Sequence, residues 1–183
     1  MTALRDPATA HAASWIATMR EFHAGGEEHV HGAGLWDLES VDLTEAGCAV
    51  VVEHLRAQAD PATELADNLV HCTYLWITDG DPEEVVGFLA LRHALTPWLL
   101  EEGGHIGYAV RPSRRRQGHA SRALALAVRR AGELGIARAL VTCDEDNDGS
   151  RRTIERCGGV YEDSRNGKRR YWIDTAASGP EKE

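Results

Sequence analysis

Apolar residues recur with the spacing of helices in three segments of the chain. The clearest segment runs from Ala120 to Leu134 and is followed by Gly135, a typical residue at a helix end. Its predicted buried face consists of Ala120, Ala123, Leu124, Ala127, Val128, Ala131 and Leu134. Residues Ala8–Ala24 predict a second helix, and Thr44–Arg56 predict a third that begins with Thr44 as a cap. The valines at 50–52 also allow a strand in the third segment.

Runs of β-branched and aromatic residues predict strands on both sides of the long helix. Thr73–Thr78 and Val85–Leu91 flank a turn-forming sequence, Asp79-Gly80-Asp81-Pro82, and are expected to form a hairpin. His105–Val110 and Ala139–Cys143 lie before and after the helix. This order predicts a βαβ unit with two parallel strands and a right-handed crossover.

The end of the chain predicts a short helix and a second hairpin. Asn147 or Asp148 would cap the helix, which is expected over Ser150–Cys157 and is followed by two glycines. The segment Val160–Ile173 is expected to fold into two strands around the turn at Asn166-Gly167.

Length and composition fit one globular domain. Of the 183 residues, 43% are hydrophobic and 27% are charged, which is typical of globular proteins. We expect a single domain over residues 1–175 and a flexible tail over residues 176–183. The net charge of −9 argues against general binding to nucleic acid. A basic cluster at Arg111–Arg122 stands out against this acidic background and suits a small polyanion better than a long one.

Cysteine spacing indicates a reducing compartment, and hydropathy indicates a protein outside the membrane. The cysteines lack the paired spacing of zinc and redox motifs: Cys48, Cys72, Cys143 and Cys157. We therefore expect reduced thiols in a soluble cytoplasmic protein. Residues 1–13 lack the apolar core of a signal peptide, and no apolar run reaches a transmembrane length, so we expect no membrane partner. The histidines that could suggest a metal site are spaced too loosely, and no metal is expected: His23, His29, His31 and His54.

The segment between the strand ending at Val110 and the long helix has the chemistry of an anion site. Residues 115–120, with the sequence Arg-Arg-Gln-Gly-His-Ala, would present backbone N–H groups and a helix N-terminus to one small volume. Gly118 has no Cβ and lets the backbone approach an anion closely. The arginines add planar donor groups suited to phosphate oxygens. The sequence therefore favours a phosphate or pyrophosphate site, and the alternative is an ordinary solvated loop.

This loop resembles the pyrophosphate loop of the GNAT superfamily, the GCN5-related N-acetyltransferases, with the consensus Gln/Arg-x-x-Gly-x-Gly/Ala. Tyr108–Pro112, Asn147–Ser150 and Gly158-Gly159 resemble further segments of that family. The order of predicted elements over Thr73–Ile173 matches the family core, and Gly103–Tyr108 looks like a bacterial subgroup of predicted acetyltransferases. The resemblance implies an α/β (α+β) fold. Its mixed, mostly antiparallel twisted sheet would contain one splayed parallel strand pair, with helices on both faces.

The resemblance also implies acetyl-coenzyme A as co-substrate. Pantetheine would lie between the splayed strands and pair with backbone groups of Ala109 and Val110, while the pyrophosphate would lie on the N–H groups of the loop. Residues 1–100 would shape the acceptor side, and residues 101–175 would form the cofactor-binding core. The expected cofactor-binding residues are Tyr108, Ala109, Val110, Arg115, Arg116, Gln117, Gly118, His119, Ala120, Ser121, Asn147 and Ser150.

Acetyl transfer from a thioester to an amine needs a polarised carbonyl and a proton for the leaving thiolate. The resemblance suggests the backbone N–H of Val110 for the carbonyl. Many family members carry a tyrosine as proton donor in the helix after the fifth strand, and Ile154 stands at that position here. The acid is therefore open. Tyr161 and Tyr108 are substitutes, although Tyr108 also fits a packing role in its strand.

The attacking amine needs a base, and three side chains near one strand are candidates. His105 falls where some relatives carry a glutamate, and an imidazole has a suitable ordinary pKa of about 6.5. Glu102, and beside it Glu101, could reach the acceptor pocket. Each candidate also has an ordinary interpretation, as a hydrogen-bonded strand histidine or as solvated glutamates.

Three functional hypotheses follow from the sequence. The first is an acetyl-coenzyme A-dependent N-acetyltransferase that acts on a primary amine of a small molecule or peptide by direct attack in a ternary complex. The second is a non-catalytic acyl-coenzyme A binding or sensor protein, which the missing tyrosine favours. The third is a nucleic-acid binder, against which the net charge argues. The resemblance also allows a homodimer.

Overall fold

The computed structural model describes residues 1–27, 29–38 and 40–176. The predicted tail begins at the end of this range, and its residues 177–183 lie outside the described residues. The helices are α1 (Ala12–Ala24), α2 (Glu45–Ala59), α3 (His119–Glu133) and α4 (Asp148–Arg156). The strands are β1 (Ala3–Arg5), β2 (Cys72–Asp79), β3 (Glu84–Arg92), β4 (Ile106–Val110), β5 (Arg138–Asp144), β6 (Val160–Arg165) and β7 (Lys168–Asp174). Shorter helical turns are Thr9–His11, Pro112–Arg114 and a π-helical turn, Leu99–Gly103.

The strands form one mixed sheet with the order β1-β2-β3-β4-β5-β7-β6. The neighbouring strands pair antiparallel except β4 and β5, which pair parallel with Ile106 opposite Val141. This arrangement confirms the predicted fold class and both predicted hairpins. The terminal hairpin joins the sheet through β7, its second strand, so that β6 becomes an edge strand.

Each face of the sheet has its own hydrophobic core. One core packs α3 and α4 against residues such as Leu89 and Ile106, and the other packs α1 and α2 against residues such as Phe88. Because both faces are covered, β3 is a nearly continuous apolar run rather than an alternating one. Each fully buried Leu or Phe side chain contributes roughly 1.5–3 kcal/mol to the free energy of unfolding.

The predicted apolar face of α3 is correct except at its end. Ala123, Leu124, Ala127, Val128 and Ala131 are buried, whereas Leu134 is 46% exposed. The helix ends at Glu133, and the chain then turns away. The N–H of Ile136 donates to the carbonyl of Ala131 at 3.0 Å, and Ile136 takes the packing position that the periodicity assigned to Leu134.

Caps fix the starts of two helices as predicted. The Thr44 hydroxyl accepts a hydrogen bond from the N–H of Gly47 at 3.0 Å, and the Asn147 side chain accepts from the N–H of Ser150 at 2.9 Å. The alternative of a strand at the three valines is wrong, since Val51 and Val52 are buried in α2 while Val50 is exposed.

The sequence did not predict β1, which pairs antiparallel with β2 at the sheet edge. Three residues carry too little periodicity to be identified as a strand. The cysteines are free thiols. Within the described ranges, no helix combines the length and hydropathy needed to cross a lipid bilayer.

Candidate functional site

A cleft of about 570 Å³ opens at the carboxyl ends of β4 and β5, between the starts of α3 and α4. It lies where ligands bind in open α/β sheets, beyond the ends of parallel strands. All of the predicted cofactor-binding residues except Gln117 line this cleft: Tyr108, Ala109, Val110, Arg115, Arg116, Gly118, His119, Ala120, Ser121, Asn147 and Ser150. Gln117 instead donates a hydrogen bond from Nε2 to the carbonyl of Ser113 at 3.2 Å.

The cleft exists because β4 and β5 separate soon after they meet. Their parallel ladder contains the pair Ile106–Val141, whereas β5 continues along β7 as far as Asp144. Beyond Ile106, the edge of β4 that faces β5 has no strand partner among the described residues. Backbone polar groups need hydrogen-bond partners, so this edge can pair with amide groups of an extended ligand. The carbonyl of Val110 is already occupied, because it accepts from Nε of Arg115 at 2.9 Å.

The start of α3 is open to the cleft. Gly118 is the residue before the helix and has a φ of 86°, which favours glycine. No side chain caps this helix end, and a Cβ placed on Gly118 would meet no atom within 4 Å. Arg116 also has a left-handed φ, of 61°. The unsatisfied N–H groups of the first turn and the positive end of the helix dipole therefore favour an anion here.

Four arginines line the cleft, and they differ in what their guanidinium groups contact. Arg115 contacts Glu27 at 2.5 Å, and Arg114 contacts Asp79 at 3.1 Å. Arg116 and Arg156 line the cleft, and no carboxylate of the described residues lies within 4.0 Å of either guanidinium. These two cations are available to phosphate groups in a protein whose net charge is −9.

Two hydroxyls meet across the cleft between β4 and the first turn of α4. The Tyr108 hydroxyl lies 2.8 Å from Oγ of Ser150. Burial raises the pKa of Tyr108 to about 12, so the phenol stays protonated at neutral pH. Asn147 holds Ser150 in place by accepting from its backbone N–H.

The position of His105 argues against its predicted role as a base. His105 is buried, outside the cleft, and its Nδ1 accepts a hydrogen bond from the N–H of Leu140 at 2.9 Å. The lone pair that would take a proton is therefore occupied by the backbone of β5. Burial, followed by the nearby charge of Arg92, lowers the pKa of His105 to about 4. This geometry favours the alternative of a hydrogen-bonded strand histidine.

The His105 pKa predicts how the free energy of unfolding depends on pH. The folded-state pKa of about 4 lies below the ordinary value of 6.5, so between these pH values the unfolded chain binds a proton that the folded chain does not. The contribution of His105 to the free energy of unfolding is fully present above pH 6.5 and is lost as the pH falls towards 4, by about 3 kcal/mol in total. His105→Asn keeps an acceptor for Leu140 without titrating. Urea unfolding at pH 7 and pH 4.5 should show a smaller loss in this variant, and equal losses would contradict the burial of a neutral imidazole.

The remaining catalytic candidates lie outside the cleft lining. The Glu101 carboxylate pairs with Arg165 at 2.7 Å, and the Glu102 carboxylate accepts from Asn166 at 3.3 Å. Both glutamates belong to the π-helical turn, which lies beside β5 and beside the end of the β6–β7 hairpin. Tyr161 lies on the edge strand β6, where it is 50% exposed and its hydroxyl contacts Ser164 at 3.1 Å. The structure thus separates Tyr161 from Tyr108, the other tyrosine considered as an acid.

Several cleft residues were not identified from the sequence. They come from the loop after α1, the basic turn and α4: Glu27, His31, Arg114, Gly149, Thr153 and Arg156. The loop reaches the cleft because Gly32, with a φ of 81°, lies directly on β3 and β4. A glycine among polar residues is the only local signal for such a contact. Within the described ranges, no group of three or more His, Cys, Asp or Glu side chains could hold a metal ion.

Comparison with known proteins places the chain among acetyltransferases. The sequence profile of the Acetyltransferase (GNAT) family matches residues 35–159, which include parts of both cores and most of the cleft. No curated protein matches the sequence. The microcin C7 self immunity acetyltransferase MccE, in complex with acetyl-CoA and AMP, has a similar structure with a TM-score of 0.65 and 15% identity, covering 94% of this chain and 92% of that chain.

Two further solved structures have the same fold. RimJ from Mycobacterium smegmatis, in complex with CoA-disulfide, has a TM-score of 0.66 and 18% identity, covering 97% of this chain and 87% of that chain. The acetyltransferase that modifies the N-terminal serine of ribosomal protein L7/L12 from Salmonella typhimurium has a TM-score of 0.60 and 17% identity, covering 94% of each chain. At these identities the similarity establishes a shared fold.

Proposed function

Since the chain belongs to the acetyltransferase (GNAT) family, we propose that it transfers an acetyl group from acetyl-coenzyme A to a primary amine of a small molecule or peptide. One observation carries the proposal: an open helix N-terminus and an unpaired strand edge line the same cleft. The first can hold a diphosphate, and the second can hold an extended chain of amides. Coenzyme A contains both groups.

The residues of the cleft fit coenzyme A. The N–H groups at the start of α3 and the side chains of Arg116 and Arg156 would hold the phosphates. The unpaired edge of β4 near Ala109 would pair with the pantetheine amides, opposite Asn147 at the start of α4. Local cations are needed because the remainder of the protein is acidic and would repel a polyanion.

Acetyl-coenzyme A supplies the acetyl group as an activated thioester. The protein holds both substrates in one cleft, so the amine attacks directly in a ternary complex, and positioning supplies much of the rate. The amine must be neutral to attack. His31 lines the cleft and can take the amine proton directly or through water, a role that the sequence had suggested for His105 or Glu102.

A peptide amine is the acceptor class that the structural neighbours support best. One neighbour modifies the N-terminal serine of a ribosomal protein. In this chain, the segment Asp144–Asp148 carries acidic residues at the mouth of the gap between β4 and β5. Glu145 and Asp146 are exposed there and would attract a protonated amine before it loses its proton.

A non-catalytic sensor of acyl-coenzyme A is the second candidate function. Ile154 is fully buried in the core beside α3, so α4 presents no phenol at the position where many family members carry their acid. A protein that binds acetyl-coenzyme A but lacks a proton donor would bind without turnover.

Release of free thiol distinguishes the two functions. The purified protein is mixed with acetyl-coenzyme A and a panel of amines that includes short peptides with free N-termini, and thiol is measured over time. We expect steady release that depends on the amine. Binding of coenzyme A in calorimetry, without release across the panel, would favour the sensor. Absence of binding would remove the basis of both.

A further inference from the structure

The leaving sulfur needs a proton donor that α4 does not provide. Ile154 occupies the position of the tyrosine found in many family members, and its side chain packs into the core. Tyr161, the first substitute suggested by the sequence, is half exposed on an edge strand outside the cleft lining. A donor must therefore come from another element that reaches the cleft.

Tyr108 reaches the cleft from β4 rather than from a helix. It lies between Ile106, the last residue paired with β5, and Val110, the last residue of the strand. The anion-binding start of α3 lies beyond Val110, so Tyr108 marks the inner end of the cleft. A thioester lies at the end of the coenzyme opposite the diphosphate. With the diphosphate on α3, the sulfur is directed towards Tyr108.

The surroundings of Tyr108 keep its hydroxyl protonated and hold it beside Ser150. The hydroxyl lies 2.8 Å from Oγ of Ser150, in the first turn of α4. Burial is the main cause that raises its pKa, and the hydrogen bond with Ser150 acts in the opposite direction. No carboxylate of the described residues is hydrogen-bonded to the phenol, so nothing charged competes for its proton.

We propose that Tyr108, hydrogen-bonded to Ser150, is the catalytic acid that protonates the leaving sulfur. This inference rests on the proposed acetyltransferase function. The role is assigned to a residue of β4 whose hydroxyl contacts Ser150 at the start of α4. The helix itself has Ile154, and no phenol, at the position of the usual tyrosine.

The proton count of the step balances. The amine nitrogen forms a bond to the acetyl carbon, and the bond between that carbon and sulfur breaks, with its electron pair going to sulfur. Tyr108 gives its hydroxyl proton to the sulfur. Ser150 passes a proton back to the phenolate and regains one from water, which carries the proton lost by the amine. The raised pKa keeps the proton on the phenol until the bond to sulfur breaks, and Ser150 then returns a proton to the phenolate.

Tyr108→Phe and Tyr161→Phe form a matched pair of tests. Both remove one hydroxyl and keep the ring, and only the first removes a group that lines the cleft. We expect Tyr108→Phe to lower kcat about 100-fold with little change in the KM for acetyl-coenzyme A. Tyr161→Phe should stay within about twofold of the original protein in kcat. Circular dichroism and thermal unfolding check that both variants remain folded.

Titration of the bound thiol tests the contact without any acceptor. The absorbance of the coenzyme A thiolate is followed against pH in complex with each variant. A hydroxyl that donates to sulfur stabilises the thiolate and lowers the pKa of the bound thiol. Removing it in Tyr108→Phe should raise that pKa by about one unit, a tenfold change in the thiolate fraction. Ser150→Ala should give a smaller rise, and Tyr161→Phe none.

The outcomes separate this inference from the proposed function. A Tyr108→Phe protein with unchanged kcat, or with an unchanged bound thiol pKa, overturns the role of Tyr108 even if acetyl transfer is demonstrated. A variant that loses coenzyme A affinity together with kcat also overturns it, since the residue would then serve binding. If the original protein transfers no acetyl group, the proposed function fails, and a raised thiol pKa in Tyr108→Phe would still place the hydroxyl at the sulfur.

Discussion

Glutamate in place of Gly118 is expected to abolish coenzyme A binding. Gly118 precedes α3, and the space over it is empty, so the new side chain fits but fills the volume that an anion would occupy. Two unit charges about 4 Å apart at a protein surface repel by about 4 kcal/mol. Affinity for coenzyme A should therefore fall at least about 1,000-fold. Isothermal titration calorimetry measures the change.

Gly135→Glu is the matched control for this variant. Gly135 has a φ of 81° just beyond the other end of α3, and a Cβ there also meets no atom within 4 Å. Both substitutions impose the same backbone strain, of about 1 kcal/mol, and the same charge change. We expect Gly135→Glu to bind coenzyme A like the original protein. Equal affinities for the two variants would show that the start of α3 does not hold the phosphates.

Alanine in place of Gly32 is expected to displace the loop that carries His31. A Cβ on Gly32 would lie 2.9 Å from the carbonyl oxygens of Gly107 and Phe88 and from Cα of Leu89. These are backbone atoms of β3 and β4, which cannot move aside. Overlap of this kind costs about 2–3 kcal/mol, and the left-handed φ adds about 1 kcal/mol. We expect a total loss of roughly 3–4 kcal/mol in the free energy of unfolding, or a loop that leaves the sheet.

Gly26→Ala separates the cost of the left-handed backbone from the cost of the contact between Gly32 and the strands β3 and β4. Gly26 lies in the same segment with a φ of 78°, but a Cβ there meets no atom within 4 Å. This variant should lose only about 1 kcal/mol. Urea unfolding gives both values, and acetyl transfer shows whether the displaced loop also lowers turnover. Similar losses in the two variants would mean that Gly32 tolerates a side chain and that its close approach to β4 is not required.

The loop before α3 and the order of elements could be predicted from the sequence because their signals are local. The spacing along α3, the glycine before it and the caps of α2 and α4 depend on residues within a few positions of one another. Such short-range patterns reflect backbone sterics and helix geometry, which act wherever the segment lies in the protein. The family resemblance extended these local features to a complete fold, which the sheet order confirms.

The catalytic side chains could not be assigned this way. His105 has a residue type and a strand position suited to a base, but its Nδ1 is bonded to Leu140, 35 residues later in the chain. Tyr108 could be read as an ordinary packing residue, and its hydroxyl contact lies with Ser150, 42 residues away. Whether a side chain is protonated and free to react depends on such distant partners and on burial. The local spacing of residues encodes neither of these.

The sequence by itself determined the helices, most of the strands and the loop suited to an anion. Only the tertiary structure decided that β7 lies between β5 and β6, that the loop at Gly32 rests on β4, and that Tyr108 meets Ser150 in the cleft. Local structure follows from the conformational preferences and hydrophobic spacing of neighbouring residues. The site depends on side chains that come together when two packed cores close over both faces of the sheet, and the burial of apolar surface that drives this closure is non-directional and long-range in sequence.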